Sequence, residues 1–283
     1  MILVTGAGGQ LGAAFMRLLG PKATYLSRRE LDITDRASVS AVVSTVRPEL
    51  IVNCAAWTDV DAAEDRVDEA FAVNAEGVGN LADAAARTGS RLVTFSTDYV
   101  FAGDAGPYSE DDPTTPINVY GKSKVAGERI ALDRGAEVLV VRTSWLLSGT
   151  HRCFATTALR LATSGGAVVD DQWGRPTMAD DLASTTLDAV RAGTTGLLHV
   201  ANEGETTWYR LAVEIAETAG SSGERIRPCR SQDHPTKAQR PARATLDTSR
   251  LERLGLGPLA HHRERLDEIV AGQLAVMSGD FDA

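Results

Sequence analysis

A tyrosine and a lysine four residues apart are the first side chains that could do chemistry. The chain has five tyrosines and four lysines, and Tyr120 and Lys124 stand at positions i and i+4. On a helix such a pair shares one face. A phenol is a weak acid at neutral pH, and a neighbouring ammonium lowers its pKa by favouring the phenolate. The pair therefore indicates acid–base catalysis.

A hydroxyl that could join this pair stands at the end of an apolar run. Residues 91–95 read as a buried strand and lead into Ser96-Thr97-Asp98-Tyr99-Val100-Phe101. Thr97 is placed to hold a substrate carbonyl through a hydrogen bond. The alternative is that these hydroxyls cap the following turn.

A glycine-rich stretch, Gly6 to Gly12, follows the first apolar run and opens a helical pattern. Glycine allows the tight turn, the close approach of backbone N–H groups to a pyrophosphate, and close packing of helix on strand. The context predicts a dinucleotide site. Its expected contacts here are Gly6, Gly9, Gln10, Leu11 and Gly12.

The second strand is expected to end at Leu26-Ser27, where folds that prefer NAD usually carry an acidic residue. This chain instead has Ser27-Arg28-Arg29, with no carboxylate among these three residues. Two guanidinium groups favour a 2′-phosphate, so NADPH is the expected cofactor and NADH the alternative. The arginines could also be solvated surface. Asp32, followed by Ile33, could accept from the adenine amino group or serve only as a turn residue.

Composition excludes several classes of protein. The 283 residues are 43% hydrophobic and 24% charged, as in an ordinary globular protein, and the net charge is -9. That charge repels nucleic acid and anionic lipid, so neither is an expected partner. No apolar run approaches the ~18 residues of a membrane span, and no basic stretch precedes the first apolar residues. A cytoplasmic location is expected.

Cysteines and histidines give no sign of a metal or disulfide framework. The three cysteines are scattered, and the five histidines form no HExxH-type pair. We therefore expect no metal site.

Short apolar runs alternate with amphipathic helical patterns over the first two hundred residues, which predicts a doubly wound α/β fold of the Rossmann type. The expected strands are residues 2–4, 23–26, 50–55, 91–95, 137–142 and 196–200. Amphipathic patterns at 37–46, 62–88 and 119–133 predict helices between them. Residues 1–144 with 165–200 should form the dinucleotide-binding domain, and 145–164 with 201–283 a smaller substrate-binding lobe. Residues 221–244 read as its most loop-like part.

Taken together, these motifs resemble the extended short-chain dehydrogenases/reductases, and within them the dTDP-4-dehydrorhamnose reductase family. The stretches Ser96 to Phe101 and Arg142-Thr143-Ser144-Trp145 are the most specific, and matches at Asn53 to Glu64, Asn118 to Glu128 and Asp171 to Thr177 extend the likeness over most of the chain.

The resemblance implies hydride transfer from a reduced nicotinamide to C4 of a dTDP-linked 4-keto-6-deoxyhexose, such as dTDP-4-dehydrorhamnose going to dTDP-L-rhamnose. Thr97, Tyr120 and Lys124 would be the catalytic set, with Thr97, Asp98 and Trp145 touching the sugar and Asn74 supporting the site. Tyr120 and Lys124 would also contact the cofactor. Ala55, Ala56 and Trp57 would border the cofactor, and Trp57 could equally be a core residue.

The diphosphate of such a substrate needs local cations. Arg240 and Arg243 flank Pro241 in a stretch that resembles the family's Arg-Pro motif near the substrate, so they are the expected contacts; the alternative is a solvated basic loop. Some family members are described as joining subunits through magnesium held partly by a glutamate, and the matching position here is Ala14. A homodimer without metal is compatible with the sequence.

Several positions depart from the family pattern, including Leu146-Leu147, Cys153 and the stretch after Arg240. They lie in the expected substrate lobe, so the choice among 4-keto-6-deoxysugars stays open. A related 4-ketoreductase of an antibiotic deoxysugar pathway is the nearest alternative. A sugar-nucleotide epimerase or dehydratase, or a non-catalytic regulatory subunit, is a more distant one.

Overall fold

The computed structural model describes residues 1–134 and 137–279. Its strands are β1 (Ile2–Thr5), β2 (Ala23–Leu26), β3 (Leu50–Asn53), β4 (Arg91–Thr97), β5 (Val138–Thr143), β6 (Leu146–Leu147), β7 (Gly166–Val169), β8 (Trp173–Gly174), β9 (Thr177–Met178), β10 (Gly196–His199), β11 (Thr206–Thr207) and β12 (Ile226–Cys229). The first five of these and β10 form one parallel sheet.

Helices lie between and beside these strands. They are α1 (Gln10–Leu19), α2 (Arg36–Val46), α3 (Val60–Asp65), α4 (Val67–Phe71), α5 (Val78–Thr88), α6 (Val119–Arg134), α7 (Phe154–Ser164), α8 (Ala179–Arg191), α9 (Trp208–Thr218), α10 (Ser249–Arg253) and α11 (Leu266–Ser278). A π-helix spans Ala72–Gly77, and 3-10 turns span Gly20–Lys22, Asp98–Val100, Ser231–Asp233 and His262–Arg265. Within the described ranges, none of these helices is long and apolar enough to cross a membrane.

The order of strands in the main sheet is β2-β1-β3-β4-β5-β10, which confirms the predicted doubly wound α/β fold. Its strands are short apolar runs, as expected where helices cover both faces of a parallel sheet. The chain leaves β1 toward one edge of the sheet and returns at β3 on the other side of β1. Such a reversal opens a crevice at the carboxyl ends of the strands, where ligands bind in open α/β sheets.

Apolar side chains divide the core into layers. On one face of the sheet, Phe15 of α1 and Leu182 of α8 pack with Val4 and Val52 of the strands. On the other face, Leu81 of α5 packs among residues of β1, β3 and α2. The sheet is thus covered on both faces, so a ligand can approach it only at the ends of its strands.

A smaller layer packs beside the sheet. The helices α7, α9 and α11 share a third core that includes Leu211, Ile215 and Ile269. Parallel pairing of β7 with β12 completes this layer. Two sequence expectations differ here: residues 221–244 contain a strand, and β7 lies with the smaller layer although the sequence division grouped residues 165–200 with the main sheet. The pairing of β7 with β12 explains both differences, because each segment forms a strand by hydrogen-bonding to the other.

The helical pattern predicted over 62–88 is not one helix. Arg66 has φ -120° and ψ 52°, and this break separates α3 from α4. The chain then widens into the π-helix before α5 begins. Single π-turns inside helices often occur at functional sites, and this one carries Asn74.

Packing of α6 against the π-helix gives a first testable prediction. A Cβ added at Gly127 would lie 2.0 Å from the carbonyl oxygen of Asn74, whereas one added at Gly8 meets nothing within 4 Å. Gly127→Ala should lower the free energy of unfolding by about 1–3 kcal/mol, because α6 must move to admit the methyl group. Gly8→Ala is the matched control, and equal denaturation midpoints for both variants would contradict this packing.

Candidate active site

The glycine-rich loop forms the sharp turn from β1 into α1. Gly6 has φ +66°, and a Cβ there would lie 2.4 Å from the nitrogen of Ala55 at the exit of β3. A Cβ on Gly12 would lie 2.5 Å from the carbonyl oxygen of Gly6. Gly9 precedes α1 without a capping side chain. The first N–H groups of α1 therefore have no capping side chain, which leaves them available to an anion.

A cleft of about 570 Å³ lies beside this loop. Its lining contains nine of the residues predicted to bind cofactor, namely Gly6, Gly9, Ser27, Arg28, Asp32, Ile33, Ala55, Ala56 and Trp57. Arg29 also lines it. The exits of β1, β2 and β3 thus converge as the sequence predicted.

A carboxylate does lie at the exit of β2, although the sequence Ser27-Arg28-Arg29 predicts a site there without an acidic residue. The chain turns after Ser27, so that the Glu30 carboxylate accepts from the Ser27 N–H at 2.8 Å and from its hydroxyl at 2.7 Å. These bonds hold the pKa of Glu30 below its usual value. The sequence analysis missed Glu30 because only the turn brings it back to the strand.

The arginine and the aspartate predicted near the adenosine end are close to each other. Arg28 is 78% exposed, and its Nε lies 3.7 Å from Oδ2 of Asp32. Oδ1 of Asp32 accepts from the N–H and the hydroxyl of Thr34. These bonds to Thr34 lower the pKa of Asp32, so it is a turn-stabilising carboxylate that also faces the cleft.

Thr97, Tyr120 and Lys124 come together in a second cleft of about 770 Å³, which adjoins the first. Thr97 is the last residue of β4, and Tyr120 and Lys124 lie one turn apart at the start of α6. The side chains of Thr97, Tyr120 and Lys124 all line this cleft. Gln10 and Leu11 of the glycine-rich loop line the same cleft. The predicted catalytic group is therefore assembled beside the predicted cofactor site.

Burial sets the proton affinities of this group. Burial raises the pKa of Tyr120 to about 12; the neighbouring Thr97 hydroxyl opposes this rise and the Asp98 charge adds to it. Burial lowers the pKa of Lys124 to about 8, against the attraction of Glu128. Lys124 Nζ donates to the carbonyl oxygen of Phe95 at 2.6 Å. The sequence predicts that Lys124 lowers the pKa of Tyr120, but burial raises this pKa instead, so the phenol keeps its proton at neutral pH.

Asn74, on the π-helix, connects two parts of the active site through hydrogen bonds. Its Oδ1 accepts from the N–H of Trp57 at 2.9 Å, and its Nδ2 donates to the Trp57 carbonyl and to Ser123 Oγ, each at 3.0 Å. Ser123 Oγ in turn donates to the carbonyl of Tyr120 at 2.7 Å. Asn74 thus joins the exit of β3 to the first turn of α6, and its supporting role in the reaction stays a prediction.

Trp145 lies between two elements of the smaller layer. Its φ is +45°, an uncommon conformation for a large side chain. The ring stacks on Trp208 with centroids 3.6 Å apart, and a Cβ on Gly174 would lie 2.5 Å from it. Both tryptophans line the catalytic cleft. Trp57 instead lines the first cleft, where its indole N–H donates to the Asp59 carbonyl.

Arg240 and Arg243 are paired with carboxylates and line neither cleft. Arg240 binds Asp61 through two bonds of 2.6 and 2.8 Å, and Arg243 binds Glu205 through two bonds of 2.7 Å. Their assignment to the substrate diphosphate stays a prediction. Arg152, which the sequence analysis missed, lines the catalytic cleft and has no hydrogen bond or ion pair within the described residues.

Two other cleft residues escaped the sequence analysis. Tyr99 lies edge-on to Tyr120, with ring centroids 5.9 Å apart. Tyr99 directly follows the Thr97-Asp98 pair, so its position after the strand was an available signal. Trp208 begins α9, and nothing in its local sequence indicates that it stacks on Trp145. Within the described ranges no group of three or more His, Cys, Asp or Glu side chains could hold a metal ion.

The sheet order, the glycine turn and the Thr97–Tyr120–Lys124 group define the class as a Rossmann-type short-chain dehydrogenase/reductase. The model of the family described as RmlD substrate binding domain matches residues 1–274, and the chain belongs to this family.

Relatives and solved structures agree with this assignment. A dTDP-4-dehydrorhamnose reductase of Streptomyces griseus is 44% identical over 94% of this chain and 91% of its own length. A dTDP-4-keto-6-deoxy-D-glucose reductase of Streptomyces niveus is 41% identical over 92% of each chain. The crystal structure of a Bacillus anthracis dTDP-4-dehydrorhamnose reductase in complex with NADP superimposes with a TM-score of 0.91, at 34% identity, over 95% of this chain and 97% of that one.

A buried ion pair fixes α6 to the sheet, and it generates a prediction. Glu128 on α6 is bound twice by Arg142 on β5, at 2.8 and 2.7 Å, and both side chains are at most 5% exposed. Glu128→Gln should lower the free energy of unfolding by about 3–5 kcal/mol, because it leaves a buried guanidinium unpaired. Asp188→Asn breaks the exposed pair with Arg191 and should cost under about 1 kcal/mol. Similar losses in urea denaturation would refute the buried pair's importance.

Proposed function

We propose that this chain reduces the C4 keto group of a dTDP-linked 4-keto-6-deoxyhexose with NADPH, as in the conversion of dTDP-4-dehydrorhamnose to dTDP-L-rhamnose. The observation that carries the proposal is the meeting of Thr97, Tyr120 and Lys124 in one cleft that the glycine-rich loop also lines. The relatives named above for such reductions, at 41% and 44% identity, support the choice of substrate.

The residues present fit a dinucleotide cofactor. Gly6 and Gly12 stand where any Cβ would collide with backbone, and the start of α1 offers uncapped N–H groups. When bound, the reduced nicotinamide supplies the hydride. The neighbouring crystal structure that contains NADP supports NADPH as the cofactor. NADH, which has no 2′-phosphate for Arg28 to bind, remains the alternative.

The protein side of the reaction uses three groups. Tyr120 donates a hydrogen bond to the keto oxygen, and Thr97 donates a second once its hydroxyl turns from Asp98, which orients the carbonyl and stabilises negative charge on its oxygen. Tyr120, protonated at neutral pH by burial, then donates its phenolic proton to that oxygen. Lys124 lies one helical turn behind Tyr120 and contributes a positive charge to the same cleft.

A related 4-ketoreductase that makes a different deoxysugar is the second candidate. The departures at Leu146, Leu147 and Cys153 favour it, since Leu146 lines the catalytic cleft. The experiment that separates the candidates supplies dTDP-4-keto-6-deoxyglucose with and without a 3,5-epimerase, follows NADPH absorbance, and identifies the product by NMR. Reduction only after epimerisation supports the rhamnose reaction; reduction without it supports the second candidate. Turnover with no net NADPH oxidation would identify an epimerase or dehydratase instead.

Location and assembly belong to the same proposal. We place the reaction in the cytoplasm, which is supported by three cysteines that all remain free thiols in the described chain. A homodimer is the proposed assembly, and light scattering with and without EDTA measures both its mass and any need for metal.

The catalytic assignment predicts the behaviour of Tyr120→Phe. The ring remains but the acid is lost, so kcat should fall by at least ~10², while folding and NADPH affinity are preserved. Lys124→Met should weaken both cofactor binding and turnover. Tyr25→Phe is the control, because that hydroxyl only contacts the Gly20 carbonyl away from the clefts. If Tyr120→Phe keeps more than about a tenth of wild-type kcat, its role as general acid is wrong.

The cofactor assignment predicts a loss confined to NADPH. Arg28→Ala should weaken NADPH binding by ~1 to 3 kcal/mol and leave NADH nearly unchanged, because only NADPH carries the 2′-phosphate. Arg29→Ala is the comparison, since both arginines line the cleft but Arg28 comes first after β2. Dissociation constants from fluorescence titration measure these effects, and equal losses for the two cofactors would rule out the assignment.

The diphosphate contact can be assigned among three arginines. Arg240 and Arg243 would have to leave their carboxylates, whereas Arg152 is unpaired and lines the cleft. Arg152→Ala should raise the KM for the nucleotide sugar about tenfold, or about 1.4 kcal/mol, with little change in the KM for NADPH. A larger rise in Arg240→Ala or Arg243→Ala would restore the prediction made from sequence.

A further inference from the structure

The loop between β6 and α7, residues 148–152, separates the catalytic cleft from another cavity. His151 and Arg152 line the catalytic cleft, and Arg152 is the unpaired arginine that we expect to bind the substrate diphosphate. The same two residues, with Thr150, also line a cavity of about 560 Å³ between α1 and α11. This 148–152 loop therefore has open space on both sides, and it has room to move unless other residues hold it.

The side chain of Gln273 on α11 holds this loop through hydrogen bonds. It is fully buried, and its Nε2 donates to the carbonyl oxygens of Ser148 and His151, each at 2.6 Å. Its Oε1 accepts from the hydroxyl of Thr156 in the first turn of α7. Both amide protons and the amide oxygen are thus used. One side chain fixes the start of the loop, the residue before Arg152 and the helix that follows.

A contact between two glycines lets α11 come close enough for these bonds. A Cβ on Gly272 would lie 2.3 Å from the carbonyl oxygen of Gly149 in the loop. Any side chain at position 272 would therefore push helix and loop apart. Because Gly272 directly precedes Gln273, this backbone contact also places the amide against the loop.

A second hold on the loop comes from α1 and is weaker. Nη1 of Arg17 donates to Oγ1 of Thr150 at 3.0 Å, and Arg17 also binds Asp180 of α8. The Arg17 side chain is 40% exposed, so water competes for its bonds. The bonds from Gln273 are buried, and their loss would leave two carbonyl oxygens without a donor. Gln273 is therefore the main constraint on the position of the loop.

We propose that Gln273 is a positioning residue for the nucleotide sugar, because it fixes the 148–152 loop so that Arg152 stays in the catalytic cleft and binds the diphosphate there. The inference rests on the proposed function, in which Arg152 makes that contact. Gln273 itself lines neither cleft and acts only through the loop.

The cavity between α1 and α11 explains how the loss of Gln273 would act. Without the amide, the carbonyl oxygens of Ser148 and His151 must find water, and the nearest open space lies on that side of the loop. The loop would shift toward this cavity and draw Arg152 away from the catalytic cleft. The sugar nucleotide would then bind more weakly, while the groups that carry out the reduction stay in place.

Gln273→Met removes both donors and keeps a side chain of similar length. Asn202→Leu is the matched control, because Asn202 is another fully buried amide that donates to a main-chain carbonyl, that of Ala260, but lines neither cleft. Gly272→Ala is a second route to the same displacement, since its methyl group would collide with Gly149 while Gln273 remains. If Gln273→Met does not fold, Gly272→Ala decides.

Calorimetric titration with dTDP alone measures the diphosphate contact without any reduction. Arg152→Ala should weaken dTDP binding about tenfold, and Gln273→Met and Gly272→Ala should weaken it about three- to tenfold. The double variant Gln273→Met/Arg152→Ala should bind no more weakly than Arg152→Ala, because a residue that acts through another adds nothing once the other is gone. Asn202→Leu should bind dTDP as wild type does.

Two further measurements separate a positioning role from a general loss of structure. The affinity for NADPH should equal that of wild type in every variant, which also shows that each one is folded. In the activity assay, the KM for the nucleotide sugar should rise by the same factors as the dTDP dissociation constant, and kcat should change little. Thr97, Tyr120 and Lys124 lie outside the loop, so turnover at saturating substrate does not depend on it.

Three results would overturn the inference. Unchanged dTDP affinity in Gln273→Met and Gly272→Ala would show that the loop keeps its position without α11. A double variant that binds dTDP much more weakly than Arg152→Ala would show that Gln273 does not act through Arg152. An equal loss in Asn202→Leu would make the effect a consequence of lowered stability. A failure of the proposed function is separate: wild type would then bind dTDP but would not oxidise NADPH with the 4-keto sugar.

Discussion

The position of α6 against the sheet is the constraint on which the rest of the structure depends. Tyr120 and Lys124 lie on this helix, whereas Thr97 ends β4, so the three meet only if the helix is held close. Gly127 allows the backbone contact with Asn74, and the Glu128–Arg142 pair fixes the helix to β5. Buried ion pairs of this kind add little net stability but penalise any arrangement that separates them. The pair therefore favours one register of α6 over its alternatives.

Burial at this junction also determines the proton chemistry. Tyr120 and Asp98 are pushed toward their neutral forms, and the pKa of Lys124 is lowered. In water the pKa of each of these three groups would have its ordinary value. The tyrosine would be protonated at neutral pH, as it is in the protein, but the carboxyl would be ionised. Burial without a counter-charge thus distinguishes this carboxyl from that of Glu128, which is buried but paired with Arg142. The adjoining cleft at the exit of β2 is different, because its charged residues, Arg28 and Asp32, are exposed and screened.

The sequence predicted most of the fold because its signals are local. Buried runs such as residues 91–95 became strands within one or two residues of the expected ends, and the glycine-rich stretch formed the expected turn. The catalytic group was predictable for the same reason, since Tyr120 and Lys124 are spaced for one helix face. Features that depend on distant pairing were not predicted. The strand at 226–229 exists through β7, and the Trp145–Trp208 stack joins residues far apart in the chain.

Charge pairing was the least predictable feature. Arg240 and Arg243 looked like free cations in a loop, but Asp61 and Glu205 reach them from elsewhere in the chain. Glu30 was overlooked because a turn returns it to Ser27. Spacing along the chain does not reveal such partners, since only the tertiary fold decides which carboxylate faces which guanidinium. Arg152 illustrates the converse, because its lack of a partner is visible only when its surroundings are known.

Transfer of a labelled hydride tests the central claim most directly. The protein would be incubated with NADPH that carries deuterium at the transferable position of the nicotinamide and with the dTDP-linked 4-keto-6-deoxyhexose. The account predicts that the product carries one deuterium, bound to C4, for each NADPH oxidised, as read by NMR of the isolated sugar nucleotide. Deuterium at another carbon, or a product without deuterium and with the cofactor returned unchanged, would contradict it.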